Sequence, residues 1–332
     1  MQTAEITDVG RIPIYYLKKI WCHYQNLKSP SAEVERVEWK YIIAVFNALG
    51  IGLEPTVQYL FSQSTDFSDF EDWIVANGSV SPSVIEQFNS TLTDKQEFDA
   101  RKEDPIFTEQ ELQQWHQDGY IILKNAISKE ACEKTVQLIY QCIEADPENS
   151  ETWYKPHTLK NGIMIQHFNS PQLDQNRLSE RINRAYRQLW QKSDLLVSMD
   201  RVSFNPPETE FYHFPGPNLH WDVSLKMPIP FGLQGLLYLT DTKANQGAFT
   251  LIPGFHNEIK TYLDNLKPAD NPRDLKNLSN FPTKSIAAAA GDFIIWNQCL
   301  PHGSSPNTSK EPRIVQYINY QPLEMEVQSE WI

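Results

Sequence analysis

His220 and Asp222 are separated by a single residue, Trp221, and His302 and Arg313 follow downstream. On an extended segment side chains alternate between faces, so His220 and Asp222 can point the same way. A distant second histidine can close on them to give a set of two histidines and one carboxylate. Such a set leaves open positions on an octahedral metal, the arrangement used in non-haem ferrous oxygenases. An arginine on a following strand can then grip the far carboxylate of an oxo-acid co-substrate by paired, charge-assisted hydrogen bonds.

The His-x-Asp spacing alone is weak, because chance supplies it in many chains of this size. The order of the segments after it is more specific. Asn245-Gln246-Gly247 reads as a turn, Phe249 to Ile252 as a strand and Pro253-Gly254 as a second tight turn. Gly291 to Trp296 reads as a turn entering a buried strand, and His302-Gly303-Ser304 and the strand carrying Arg313 follow. This order, with eleven residues from His302 to Arg313, resembles the phytanoyl-CoA dioxygenase family of iron- and 2-oxoglutarate-dependent oxygenases over residues 106–320.

The resemblance implies Fe(II) as cofactor, with 2-oxoglutarate and O2 as co-substrates. It implies His220, Asp222 and His302 as metal ligands and Arg313 as the clamp for the distal carboxylate of 2-oxoglutarate. Ser304 resembles the hydroxyl that assists this clamp, although serines in such loops often only stabilise the turn. The implied outcome is a hydroxylated product, succinate and CO2. Halogenating relatives carry a small residue in place of the ligand carboxylate, so Asp222 favours hydroxylation. The chain departs from the family pattern at Leu236-Leu237-Tyr238, where a tryptophan near the metal is frequent.

Other residues near this set have plainer readings beside functional ones. His213 precedes the ligand segment and is a candidate substrate contact, or a residue that shapes its loop. Gln166 and Met164, on an early strand, could face the oxo-acid. His256 reads as orienting the turn before it. Trp296 is expected near the metal, and Trp221 is expected to face away because it alternates with the ligands. Zinc at the same three residues would suit a hydrolase, but that leaves Arg313 without a role. A non-catalytic jelly-roll binding protein is the other alternative, and it leaves the intact ligand set and arginine unexplained.

The elements that must position these residues lie mostly in the second half. Strands are predicted at Tyr120–Leu123, Ile163–Gln166, Leu195–Phe204 and Leu219–Leu225, then at Gly235–Leu239, Phe249–Ile252, Ser285–Ala289, Asp292–Trp296 and Ile314–Tyr320. Thr108 with Glu111 makes a capping box for a helix that Gly119 ends, and Ser128 can cap the next. Leu173 to Lys192 reads as one long helix, residues 256–266 as another, and 267–282 as a polar insertion. The pattern predicts an α+β fold. The resemblance specifies a double-stranded β-helix (jelly-roll, cupin-like) core with buttressing helices. Residues 1–104 read as an N-terminal helical region and 105–332 as the dioxygenase domain, with charged Asp94 to Asp104 as a linker. In the N-terminal region Ile12 to His23, Val37 to Leu49, Phe67 to Ile74 and Pro82 to Phe88 follow helical spacing, and Pro55 opens one more short helix.

The chain has 29 basic and 42 acidic residues, a net charge of −13. That disfavours nucleic acid, which needs clustered Lys and Arg, and tilts against a polyanionic acyl-CoA. No apolar run approaches the roughly 18 residues of a membrane span, and no secretory pattern opens the chain. Four cysteines without paired spacing suit a reduced, cytoplasmic setting. The expected partner is a small-molecule substrate, free or carrier-bound: a metabolite, an amino acid or a biosynthetic intermediate. Assembly into a homodimer stays open.

Overall fold

The computed structural model describes residues 3–28, 36–93, 104–267, 270–326, 328 and 330–332. The expected linker lies, apart from Asp104, outside the described residues. Five helices come first: α1 (Leu17–Leu27), α2 (Trp39–Ala48), α3 (Leu53–Ser62), α4 (Phe67–Asn77) and α5 (Pro82–Thr93). Ile20, Phe46, Leu60, Phe70 and Phe88 bury their side chains in one cluster, which Leu323 joins from the far end of the chain. The helical spacing predicted from Ile12 starts late. Tyr16 adopts a left-handed backbone (φ 68°), so α1 begins only at Leu17. Ile12 and Ile14 enter the same cluster without being helical.

The second part opens with α6 (Glu109–Asp118), whose capping box between Thr108 and Glu111 is formed on both sides. Gly119 stops that helix at φ 76°, a conformation that costs glycine little. β1 (Tyr120–Leu123) and α7 (Lys129–Cys142) follow, and the Ser128 hydroxyl accepts from the Ala131 N–H. β2 (Lys160–Asn161) and β3 (Met164–Ile165) form a short hairpin. The single helix expected over Leu173 to Lys192 is two, α8 (Pro171–Arg177) and α9 (Glu180–Trp190). Ser179 breaks it, because its side chain caps the Ile182 N–H while Leu178 stays exposed. A serine at this position offers the backbone a competing partner, and capping wins over continuation.

The remaining elements are β4 (Leu195–Val197), β5 (Val202–Asn205), β6 (Leu233–Tyr238), β7 (Phe249–Leu251), α10 (Phe255–Asp264), β8 (Lys284–Ser285), β9 (Phe293–Asn297), β10 (His302–Ser304), β11 (Arg313–Tyr317) and β12 (Tyr320–Pro322). Seven strands form one antiparallel sheet in the order β1-β9-β6-β11-β5-β3-β2, and β10-β7-β8 form a smaller one. Alternation sorts the side chains. Phe293 and Ile295 of β9 pack with Ile139, Ile182 and Tyr186 of the helices. Ile294 and Trp296 turn the other way, into the space shared with Phe249 and Leu251 of the smaller sheet. Each such apolar side chain contributes roughly 1.5–3 kcal/mol when fully buried. The result is an α+β jelly-roll with helices backing its large sheet, as expected. Among the described residues no helix is long and apolar enough to cross a membrane.

Candidate metal centre

His302 opens β10, opposite Leu251 of β7. His220 pairs with it across a single antiparallel bridge, N–H to O in both directions at 2.8 and 3.0 Å. The strand expected over Leu219–Leu225 does not form beyond that bridge, and Asp222 lies in a bend. The reason is the partner. The carbonyls of Trp221 and Val223 accept from Nη1 and Nη2 of Arg273, at 2.9 and 2.7 Å, instead of from a neighbouring strand. Alternation survives: Trp221 turns into the core and donates to the Cys299 carbonyl, while its two neighbours face the cavity. His302 begins a short strand, because β7 offers it a free edge.

Gly303 follows the ligand directly, and its absent side chain matters. A Cβ there would meet the Asn218 carbonyl oxygen at 2.5 Å. Gly303→Ala is therefore expected to push apart the His220 and His302 segments and cost about 1–3 kcal/mol. A thermal melt checks the stability, and an iron titration should show weakened binding.

One nitrogen or oxygen from each of His220, Asp222 and His302 lies within 4.8 Å of the others. Among the described residues this is the only such cluster. Nε2 of His220 sits 3.3 Å from Asp222 Oδ1, and Nε2 of His302 sits 3.3 Å from Asp222 Oδ2. Each ring is oriented from behind. Nδ1 of His220 donates to the Asn218 carbonyl at 2.7 Å, and Nδ1 of His302 to the Leu300 carbonyl at 3.1 Å. These bonds leave both Nε2 atoms as lone-pair donors aimed at one point. Gln234 Nε2 donates to Asp222 Oδ2 at 2.7 Å, and Trp296 Nε1 donates to Gln234 Oε1 at 3.0 Å. The indole thereby fixes which way the amide faces. Burial would push the Asp222 carboxyl up, but the hydrogen bonds and charge of His220 and His302 outweigh it and hold the group well below its usual range. Burial likewise would lower His220, and Asp222 reverses it, raising the imidazole. An acid held ionised between two imidazoles, with every donor on one side, fits a ferrous ion with open positions.

Arg313 is 0% exposed. Its Nη2 donates to the Ser203 hydroxyl at 3.2 Å, while Nε and Nη1 have no partner. A buried guanidinium without an anion costs several kcal/mol. Arg313, Val315 and Tyr317 share the inner face of β11, and Tyr317 lines the same cavity as the three ligands. The Tyr317 phenol is not the missing counter-ion, since burial raises it further from ionising and Arg313 only partly offsets that.

The other residues singled out in the sequence separate here. Ser304 is buried and lines the cavity, but the hydroxyl on Arg313 belongs to Ser203. Met164 lines the cavity and Gln166 does not; β3 has already ended. His213 is exposed on its loop and lies outside the cavity lining. His256 was read as orienting the Pro253-Gly254 turn; its ring instead bonds the His116 carbonyl and packs on Gly119, tying the start of α10 to the end of α6. Trp296 lines the cavity. In the Leu236-Leu237-Tyr238 run, Tyr238 ties its hydroxyl between the Ile286 carbonyl and the Phe249 N–H. Ser203, Gln234 and Arg273 were not legible, because each acts through a partner remote in the chain.

The profile of the phytanoyl-CoA dioxygenase (PhyH) family matches residues 115–315. The chain belongs to the phytanoyl-CoA dioxygenase family. The matched span runs from α6 into β11 and contains His220, Asp222, His302 and Arg313. A Dictyostelium discoideum protein named after phytanoyl-CoA dioxygenase is 26% identical over 61% of this chain and 72% of its own length. The fold is shared with EctD from S. alaskensis, solved with bound Fe, at TM-score 0.50 and 17% identity, over 68% of this chain and 81% of that one. GIG2 from Candida albicans gives a TM-score of 0.51 at 16% identity, over 66% of this chain and 64% of that one.

Within this phytanoyl-CoA dioxygenase family member, Arg273 substitutes for a strand beside the segment that carries Asp222. Arg273→Met is expected to weaken ferrous binding about 10–100-fold, as loss of an orienting contact does. Titration with iron under argon measures this. Lysine at 273 should restore only part of it, since one ammonium cannot hold two carbonyls in a fork.

Proposed function

We propose that this chain is an Fe(II)- and 2-oxoglutarate-dependent oxygenase that hydroxylates a small molecule, releasing succinate and CO2. The observation that carries the reading is Arg313: a fully buried cation with two unpaired nitrogen donors, on the same strand as Tyr317, which lines the cavity of the candidate metal ligands. A zinc hydrolase would have no use for that cation.

His220, Asp222 and His302 would hold the iron from one side and leave the opposite side to the co-substrates. Gln234 occupies Asp222 Oδ2 and favours the other carboxylate oxygen as the donor. Arg313 and Ser203 receive the distal carboxylate of 2-oxoglutarate. Phe249 and Trp296, with ring centroids 5.8 and 5.0 Å from that of His302, form an apolar wall that keeps water from the ligand. Iron and 2-oxoglutarate, when bound, supply the activation of O2, with one oxygen atom leaving in succinate and the other entering the substrate. The substrate class proposed is a metabolite, an amino acid or a biosynthetic intermediate, free or carrier-bound.

Succinate release after reconstitution with each metal separates this reading from its rival. Expected is succinate from 2-oxoglutarate that requires Fe(II) and O2 and that Zn(II) does not support. Zinc-supported hydrolysis without 2-oxoglutarate would overturn it.

A further inference from the structure

Arg201 stands immediately before β5, two residues from Ser203. Alternation puts the two side chains on one face, and Arg201 lines the cavity that holds the metal ligands. Its backbone is pinned from both sides. The Arg201 N–H donates to Asp200 Oδ1 at 2.8 Å, and its carbonyl accepts from the Tyr317 N–H at 3.1 Å. The Asp200 carbonyl is held in turn by Nη2 of the buried Arg177, at 2.9 Å. The head group is treated differently. Among the described residues its guanidinium has no hydrogen-bond acceptor and no ion pair within 4.0 Å; it rests over the Phe168 ring at 5.7 Å, and its charge is felt by the Asp200 carboxylate only at longer range. Phe168 is itself backed by the N-terminal helices: a Cβ at Gly52 would lie 3.4 Å from that ring. Asp200, the nearest carboxylate in sequence, accepts from the Arg201 N–H and from Asn319 Nδ2, not from the guanidinium.

Arg201 and Arg313 mark opposite ends of one wall. Arg313 pairs with Asn205, whereas Arg201 sits across from Tyr317, four residues further along β11. Four residues of strand span about 13 Å. A carboxylate seated on Arg313 therefore leaves Arg201 free of it, still lining the cavity of the metal ligands. In a chain of net charge −13, an anion entering there needs a local cation.

We propose that Arg201 is the anchor of the substrate, and that the substrate is a small molecule bearing a carboxylate or a phosphate monoester presented to this guanidinium. Five N–H donors in a planar fork match either group. The Phe168 ring, fixed between Arg201 and the N-terminal helices, keeps the fork in place without neutralising it. This rests on the oxygenase reading above, so the test separates the two.

The full chain, loaded with Fe(II) and 2-oxoglutarate under argon, is titrated with acetate, methyl phosphate and the neutral acetamide, and binding is followed by saturation-transfer NMR. Saturable binding of acetate or methyl phosphate but not of acetamide is expected, and whichever anion binds more tightly identifies the group carried by the substrate. Arg201→Gln should weaken that binding at least about fivefold, Arg201→Lys less, with the dissociation constant for 2-oxoglutarate within about twofold of the parent protein in both. Retained 2-oxoglutarate binding also shows that each variant is folded. No saturable anion binding, or anion binding untouched in Arg201→Gln, would overturn the assignment. A loss confined to 2-oxoglutarate would do so too, by showing that Arg201 serves the co-substrate. If the parent protein binds neither Fe(II) nor 2-oxoglutarate, the oxygenase reading itself fails, whatever the anions do.

Discussion

His302→Ala should abolish 2-oxoglutarate turnover and lower affinity for Fe(II) well beyond the roughly 10–100-fold that loss of a merely orienting contact costs. The imidazole is 4% exposed and supplies one of three protein donors, so its loss leaves the ion only two. The metal-free variant should stay folded. It forfeits one hydrogen bond to the Leu300 carbonyl and ring packing on Trp296 and Phe249, a loss of about 1–3 kcal/mol. Added Fe(II) should raise the melting temperature of the parent protein, because a ligand that binds only the native state stabilises it. In the variant that rise should vanish. A variant that still gains stability from iron and still turns over 2-oxoglutarate would remove His302 from the metal centre.

Arg313→Leu has the second large effect, and it acts in two directions. Without co-substrate, the leucine relieves an arginine buried with two idle donors, so the apo variant should be as stable as the parent or more so. With co-substrate, the sign reverses. Breaking a desolvated charge pair costs about 3–5 kcal/mol, and each 1.4 kcal/mol is tenfold. The KM for 2-oxoglutarate should therefore rise by at least about 100-fold, while iron affinity changes little. Steady-state kinetics and thermal melts with and without 2-oxoglutarate read both halves. A large fall in apo stability with an unchanged KM would mean that Arg313 is a structural arginine.

The parts of the site that were legible in the sequence are those encoded locally. His220 and Asp222 share a face because one residue separates them, and Trp221 turns away for the same reason. Gly119, the Thr108–Glu111 box and Ser128 each act within one turn of chain, so their helix ends could be read directly. Ser203 could not be connected to Arg313, because the two meet only when β5 and β11 pair across more than a hundred residues. The same holds for Arg273, which reaches back some fifty residues to hold Trp221 and Val223. Its guanidinium also explains why the ligand segment failed as a strand despite its pattern: the carbonyls were satisfied by a side chain, so no ladder was needed. Ser304 was plausible by position and reaches the cavity, but the inward turn of Ser203 supplied the hydroxyl on Arg313 first. The break at Ser179 was within reach of sequence reasoning. The apolar spacing from Leu173 to Leu189 masked a capping residue in the middle.

The most direct measurement is a crystal structure of the protein reconstituted with Fe(II) and 2-oxoglutarate in the absence of oxygen. One iron is expected, bound by Nε2 of His220, Nε2 of His302 and a carboxylate oxygen of Asp222, with the distal carboxylate of the keto acid on Arg313 and Ser203. Iron held by other residues, or a keto acid whose far end lies away from a still unpaired Arg313, would contradict it.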